Sequence, residues 1–141
     1  MKILYTAHGS ATGGREGQAA TDTGNVKLVL NTPKELGGGG GDGTNPEQLF
    51  AMGYSACFLG ALKFAAGKEG VKIPDDARVS ADIGIGPRDD GKGFGIAAKL
   101  TISAPGIDKA KLEDLVQKAH IVCPYSDATR GNIDVELTVA A

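Results

Sequence analysis

The stretch from Asn45 to Gly67 constrains this chain more than any other. Asn45 is a good N-cap, Pro46 suits the first helical position, and Gln48 sits three residues after the cap, so a helix starts here. Gly67 is its expected stop. Leu49, Phe50, Met52, Ala56, Phe58, Leu59, Ala61 and Leu62 place apolar or small groups nearly all round it. A helix without a polar face must be covered on more than one side. One domain of 141 residues built on a single sheet covers one face well. A second copy is the economical cover for the other, so a homodimer is expected.

The uncharged part of that stretch, Gln48 to Leu62, includes Tyr54 and Ser55 and reads as too short and too polar to span a bilayer. Met1-Lys2-Ile3-Leu4-Tyr5 lacks the apolar run of a signal peptide, so the expected address is cytoplasmic, with thiols reduced. The formal charge is −2 and the pI about 5.6, which gives no electrostatic footprint for nucleic acid or an anionic membrane. Glycine is the compositional outlier, 22 residues against 6 prolines, and predicts tight turns and close backbone approaches. No repeat or linker is visible, and residues 1–141 read as a single domain.

Around the helix the pattern is that of strands. Val26, Leu28 and Leu30 predict an early strand, paired with Ile3 to Thr6. Gly37 to Gly41 predicts a mobile loop. Val79 to Ile85 and Phe94 to Ile102 alternate across turn residues Gly86 to Gly93, a hairpin with one buried face. Asp108 to about Val122 is a second helix, with Leu112, Leu115, Val116 and Ala119 on one stripe. Ile133 to Val139 is a closing strand. Without a βαβ rhythm, this predicts an α+β fold.

Cys57 lies in the middle of the first helix and Cys123 at the end of the second, before Pro124. Free cysteine is commonly buried packing material, which is the plain reading of each alone. Together they leave room for a dithiol pair, although no C-x-x-C spacing links them. A reactive thiol needs a helix N-terminus or a cation. Cys57 is three turns beyond Asn45, out of the dipole's reach, so a cation must come from elsewhere. Arg15, within Gly13-Gly14-Arg15-Glu16-Gly17, is one donor, and Arg130 and Lys63 compete. Glu47 is favoured by the dipole of its own first turn, or else holds an arginine fork. It stands about 15 Å from Cys57 along a continuous helix. Both serve one site only if Glu47 comes from another subunit or a long arginine bridges the gap.

Other chemistry has little support. Gly38, Gly40 and Gly43 fit a dinucleotide fingerprint only as any glycine run does, and no P-loop closes. His120 with Cys123 is half a metal set, but no zinc-knuckle spacing completes it with His8 and Cys57. A Cys-His hydrolase would need His120 or His8 beside Cys57, and no spacing places them there.

Three segments then resemble one family. Gly43-Thr44-Asn45-Pro46-Glu47-Gln48-Leu49-Phe50 with Gly53-Tyr54-Ser55-Ala56-Cys57-Phe58-Leu59-Gly60-Ala61-Leu62 is similar to the central helix of the organic hydroperoxide resistance proteins, of the OsmC-like superfamily. Val122-Cys123-Pro124-Tyr125-Ser126 with Ala128-Thr129-Arg130-Gly131-Asn132 resembles their second-cysteine segment. Thr12 to Gly17 resembles their arginine loop. The likeness runs from about Tyr5 to Val139, and His8-Gly9-Ser10 and the long glycine run stand apart from it.

The resemblance implies an OsmC-like fold, an antiparallel sheet with a long buried central helix and a second helix, working as an intertwined homodimer with interface sites. It implies a cofactor-free peroxidase acting on organic hydroperoxides, with a dihydrolipoyl dithiol as reductant. Cys57 would be the peroxidatic nucleophile, Cys123 the resolving thiol, Arg15 the cation and Glu47 its holder. The apolar wall of Met52 and Phe58 would favour alkyl, fatty-acid or aromatic hydroperoxides. A peroxidase of the OsmC subgroup is the same-class alternative. A non-enzymatic OsmC-like module, binding an apolar ligand or sensing oxidation, is the alternative from another class.

Overall fold

In the computed structural model, which describes residues 1–140, the chain forms two compact units, Met1–Leu49 and the remainder from Phe50. The first is a three-stranded antiparallel meander of β1 (Gly9–Thr12), β2 (Gln18–Thr21) and β3 (Lys27–Val29), with β2 in the middle. The early strand is therefore present, but its partner is Gln18–Thr21 and not Ile3 to Thr6. The turn at Asp22 to Val26, closed by Thr21 N–H to the Val26 carbonyl, brings the nearer segment into register first.

The glycine run folds back on itself. Gly38 N–H donates to the Pro33 carbonyl, Gly40 N–H to that of Thr32, and Gly43 N–H to the Asn31 side chain. A loop expected to be mobile is thus tied by three hydrogen bonds. Gly41 sits at φ 133°, where a Cβ would fall 2.6 Å from the Asn31 amide oxygen, so glycine is required for this closure.

Asn45 caps α1 (Pro46–Lys68) as its sequence predicts, its side chain accepting from Gln48 N–H at 2.9 Å. The helix does not stop at Gly67; the chain turns at Gly70, φ 68°, one residue beyond Glu69. It also continues past Lys63, which makes it long and apolar enough to cross a membrane by length and composition alone. That corrects the estimate taken from the uncharged stretch. Within the second unit its face of Tyr54, Phe58, Ala61, Leu62, Ala65 and Ala66 is buried, as a core helix's would be. Met52 and Phe64, by contrast, are each 57% exposed.

The second unit adds the hairpin β4 (Arg78–Pro87) and β5 (Phe94–Ser103), then α2 (Lys109–Val122), α3 (Pro124–Thr129) and β6 (Val135–Val139). The hairpin is in the predicted place and register, with Val79 opposite Ile102 and Ile85 opposite Ile96. Asp108 caps α2 by accepting from Lys111 N–H. The closing strand departs from expectation: β6 pairs parallel to β5, Ala98 opposite Val135 and Ile102 opposite Val139, so this sheet is mixed. The two helices supply the long crossover that a parallel pairing requires. Tyr54, Phe58, Leu62, Leu100, Ile102, Leu115 and Val116 are almost wholly buried between helices and sheet. Each large aliphatic or aromatic side chain so buried contributes about 1.5–3 kcal/mol. The α+β class stands.

Candidate functional site: an arginine fork and a thiol pair

The structure gathers the four residues singled out by sequence into two pairs, one in each unit. In the first, Arg15 Nη1 donates to Glu47 Oε2 at 2.8 Å and Nη2 to Oε1 at 2.6 Å. Two parallel charge-assisted bonds fix the guanidinium plane as well as its position. The fork forms within one chain, so Glu47 need not come from another subunit to hold Arg15.

Local glycine chemistry explains why Arg15 is presented. It lies in a single 3₁₀ turn, Gly14–Glu16, entered through Gly13 at φ 73° and Gly14 at φ 59°, the left-handed region that side chains disfavour. At Gly17 a Cβ would lie 1.7 Å from the Thr12 carbonyl oxygen, so the loop closes only over glycine. Glu16 anchors the other side by accepting from Thr32 N–H at 2.9 Å. Hydrogen bonding to Arg15 pulls the Glu47 carboxyl below its ordinary range, and the same bonds raise Arg15.

The second pair is Cys57 and Cys123, both free thiols, with sulfurs 3.5 Å apart. Cys57 is half-buried on α1 and Cys123 is fully buried. Cys123 is a hinge between helices: its N–H closes α2 on the Ala119 carbonyl, and its own carbonyl accepts from Asp127 N–H to open α3. Pro124 occupies the first position of α3, where its missing N–H costs nothing. The next backbone N–H in the chain, that of Tyr125, acts on the Cys57 thiol. Burial pushes the Cys57 thiol up, the Tyr125 N–H opposes this, and the neighbouring Cys123 thiol adds to the rise.

Around the sulfurs stand groups that sequence reasoning did not single out. Tyr54 places its ring edge-on to Phe50, with centroids 5.8 Å apart, and 5.7 Å from that of Tyr125. A Cβ on Gly53 would meet the Tyr125 hydroxyl at 3.1 Å, so the bare helix backbone there admits the Tyr125 ring. The Tyr54 hydroxyl is 2.9 Å from Ser126 Oγ and 3.2 Å from Thr129 Oγ1, all buried. Pro124 directly after Cys123 was the available signal for α3; the hydroxyl partners, 72 and 75 residues apart, had none.

The competing residues are otherwise engaged. Arg130 bonds the His120 carbonyl and lies 3.7 Å from Asp127. Lys63 and His8 are exposed. His120 is partly buried, with Nδ1 unpartnered, and burial then Arg130 lower its pKa. Among the described residues no three His, Cys, Asp or Glu side chains are placed to hold a metal.

The family model described as "OsmC-like protein" matches residues 39–138, and the chain belongs to that family. Its relatives narrow the group. The chain is 58% identical to the organic hydroperoxide resistance protein of Xanthomonas axonopodis pv. citri over 139 residues, 99% of this chain and 96% of that one. It is 42% identical to the organic hydroperoxide resistance protein OhrB of Bacillus subtilis over 95% of this chain and 96% of that one. The crystal structure of an organic hydroperoxide resistance protein from Legionella pneumophila superposes with a TM-score of 0.92 at 44% identity, covering 99% of this chain and all (100%) of that one. Within the OsmC-like family, it is with the organic hydroperoxide resistance proteins that this chain belongs.

Proposed function

We propose that this chain is a cysteine-based peroxidase that reduces organic hydroperoxides to alcohols. The observation that carries this reading is the approach of Cys57 and Cys123, 66 residues apart in sequence, to 3.5 Å at sulfur. Closing to the ~2.05 Å of a disulfide needs only a small displacement. The names of the chain's relatives support the substrate class.

In this reading the Cys57 thiolate attacks the terminal peroxide oxygen. An S–O bond forms, the O–O bond breaks, and the alkoxide leaves and takes a proton to become the alcohol. Cys57 is left as sulfenic acid. The Cys123 sulfur then attacks the Cys57 sulfur; the S–S bond forms, the S–O bond breaks, and hydroxide departs as water with the Cys123 proton. An external dithiol, a dihydrolipoyl group in the family pattern, reopens the disulfide by exchange. The half-buried Cys57 suits the nucleophile and the buried Cys123 the resolving thiol.

Burial raises the Cys57 thiol, so the Tyr125 N–H alone leaves it protonated at neutral pH and a cation must be added. Arg15, held by Glu47, takes that role. No metal or cofactor enters the sequence of steps. The two units act as one reductase domain, paired as a homodimer that covers Met52 and Phe64, and the protein works in the cytoplasm. Alkyl and aromatic hydroperoxides are the expected substrates over hydrogen peroxide, although Phe58, wholly buried between helices and sheet, forms no wall for them.

The test is single-turnover consumption of cumene hydroperoxide by the reduced protein, read by intact mass. About one peroxide consumed per chain with loss of two hydrogens, and none in Cys57→Ser, is the expected result. An inert wild type would reject the enzyme and leave an apolar-ligand module of the same fold.

A further inference from the structure

The structure assigns Tyr54 a positioning role: its hydroxyl, bonded to Ser126 and Thr129, pins α3 against α1 and so holds Cys123 at the Cys57 sulfur. The argument is one of register. Tyr54 precedes Cys57 by three residues on α1, and Ser126 follows Cys123 by three. The hydroxyl bond and the sulfur pair are therefore successive rungs between the same two segments, one at 2.9 Å and the next at 3.5 Å. Residues three apart on a helix share a face, so a slip at one rung is transmitted to the other.

The three hydroxyls form a closed set. Thr129 Oγ1 lies 3.2 Å from the Ser126 carbonyl and donates to it. Tyr54 is then left to donate to Thr129 Oγ1 and to accept from Ser126, which uses each proton once. Tyr54 and Ser126 are fully buried, so no water substitutes for a lost partner without reorganisation. α3 is only six residues long and isolated helices of that length do not persist, so its placement depends on such contacts. For disulfide closure the Cys123 sulfur must reach Cys57 before a second peroxide does. A pinned α3 shortens that interval.

This inference rests on the dithiol reading for its consequence but not for its test. Diamide closes the Cys57–Cys123 disulfide without any peroxide: the thiol pair gives up two electrons and two protons, and the azo bond becomes a hydrazine. In Tyr54→Phe and in Ser126→Ala, closure should slow by about five- to tenfold, the scale of one buried hydrogen bond. The double variant should be little slower than the slower single, since both break one rung. The pH profile of Cys57 alkylation should move to higher pH as the Tyr125 N–H loosens, which a purely stabilising residue would not cause. Under excess hydroperoxide, sulfinic acid on Cys57 should rise at the expense of disulfide. Closure in Tyr54→Phe at the wild-type rate, or fully additive effects in the double variant, would overturn the assignment. Should Ser126→Ala fail to fold, Thr129→Val reports on the same network. If the wild type closes with diamide but consumes no hydroperoxide, the enzymatic reading fails while the positioning role is still decided by the closure rates.

Discussion

The arginine fork and the thiol pair are built by opposite means. Arg15 is presented by backbone geometry, two glycines in left-handed conformation and a third closed against Thr12, and then clamped by charge. The thiols are brought together by packing: Cys57 rides on a core helix, and Cys123 sits at a helix junction fixed by buried rings and hydroxyls. A loop held by charge is screened by solvent and altered by pH and salt. A buried pair is insensitive to salt but answers to small changes in packing.

Removing the proposed nucleophile breaks the comparison most completely. Cys57→Ser should lower the rate of hydroperoxide consumption by at least about 10³-fold, because a serine hydroxyl without a base is a poor nucleophile. Cys123→Ser should differ in kind, consuming one peroxide and then stopping as sulfenic acid or passing to sulfinic acid. Stopped-flow consumption followed by intact mass separates the two. Sustained dithiol-driven turnover in Cys123→Ser would reject its proposed role as resolver.

Arg15→Ala comes next, with an expected loss of about 10²–10³-fold in the attack step, the scale of one electrostatic stabiliser. Arg15→Lys should recover little of it. Lysine keeps the charge but cannot make the fork seen at 2.8 and 2.6 Å to Glu47. Full activity in the lysine variant would show that charge alone suffices and that Glu47's geometry is incidental.

These two regions were also unequally legible in sequence. Asn45-Pro46-x-Gln48 announced the helix start, because capping is local chemistry that needs no tertiary context. The hairpin and α2 were legible for the same reason, through periodicity and turn residues. What was missed is non-local. The parallel direction of β6 depends on the crossover made by α2 and α3, and Gln18–Thr21 carries too little apolar character to advertise a central strand. Arg15, Glu47, Cys57 and Cys123 were each ambiguous from spacing, and it was family resemblance that grouped them. The Tyr54 hydroxyl network had no local signal, because Tyr54 sits among apolar helix residues and its partners are 72 and 75 residues away.

Gly17→Ala sharpens the comparison from the loop side. Its Cβ would sit 1.7 Å from the Thr12 carbonyl oxygen, so the turn must open. The expected cost is about 2–3 kcal/mol of stability, typical of overpacking against backbone. Because the same turn presents Arg15, hydroperoxide consumption should fall toward that of Arg15→Ala, while diamide closure of Cys57–Cys123 stays near wild type. Loss of both together would mean that the loop and the thiol pair do not respond separately.

The smallest effect is the dependence of stability on pH, and here the two regions should move in opposite directions. The Glu47 carboxyl is held below its ordinary range by Arg15, so the folded chain binds that proton less readily than the unfolded one. Its contribution is complete above the ordinary carboxylate value, about 4.3, and is lost as pH falls through the lower folded value. With the Arg15 side chain 38% exposed, screening limits this to about 0.5–1 kcal/mol. The Cys57 thiol is raised by burial, so its contribution is complete below the ordinary thiol value, about 8.5, and fades as pH rises through the higher folded one. Urea unfolding of wild type, Glu47→Gln and Cys57→Ala across that span should show the wild type's advantage over Glu47→Gln shrinking only in acid, and over Cys57→Ala only in base. A Glu47→Gln difference that stays constant into acid would mean that the fork positions Arg15 without contributing to the stability of the fold.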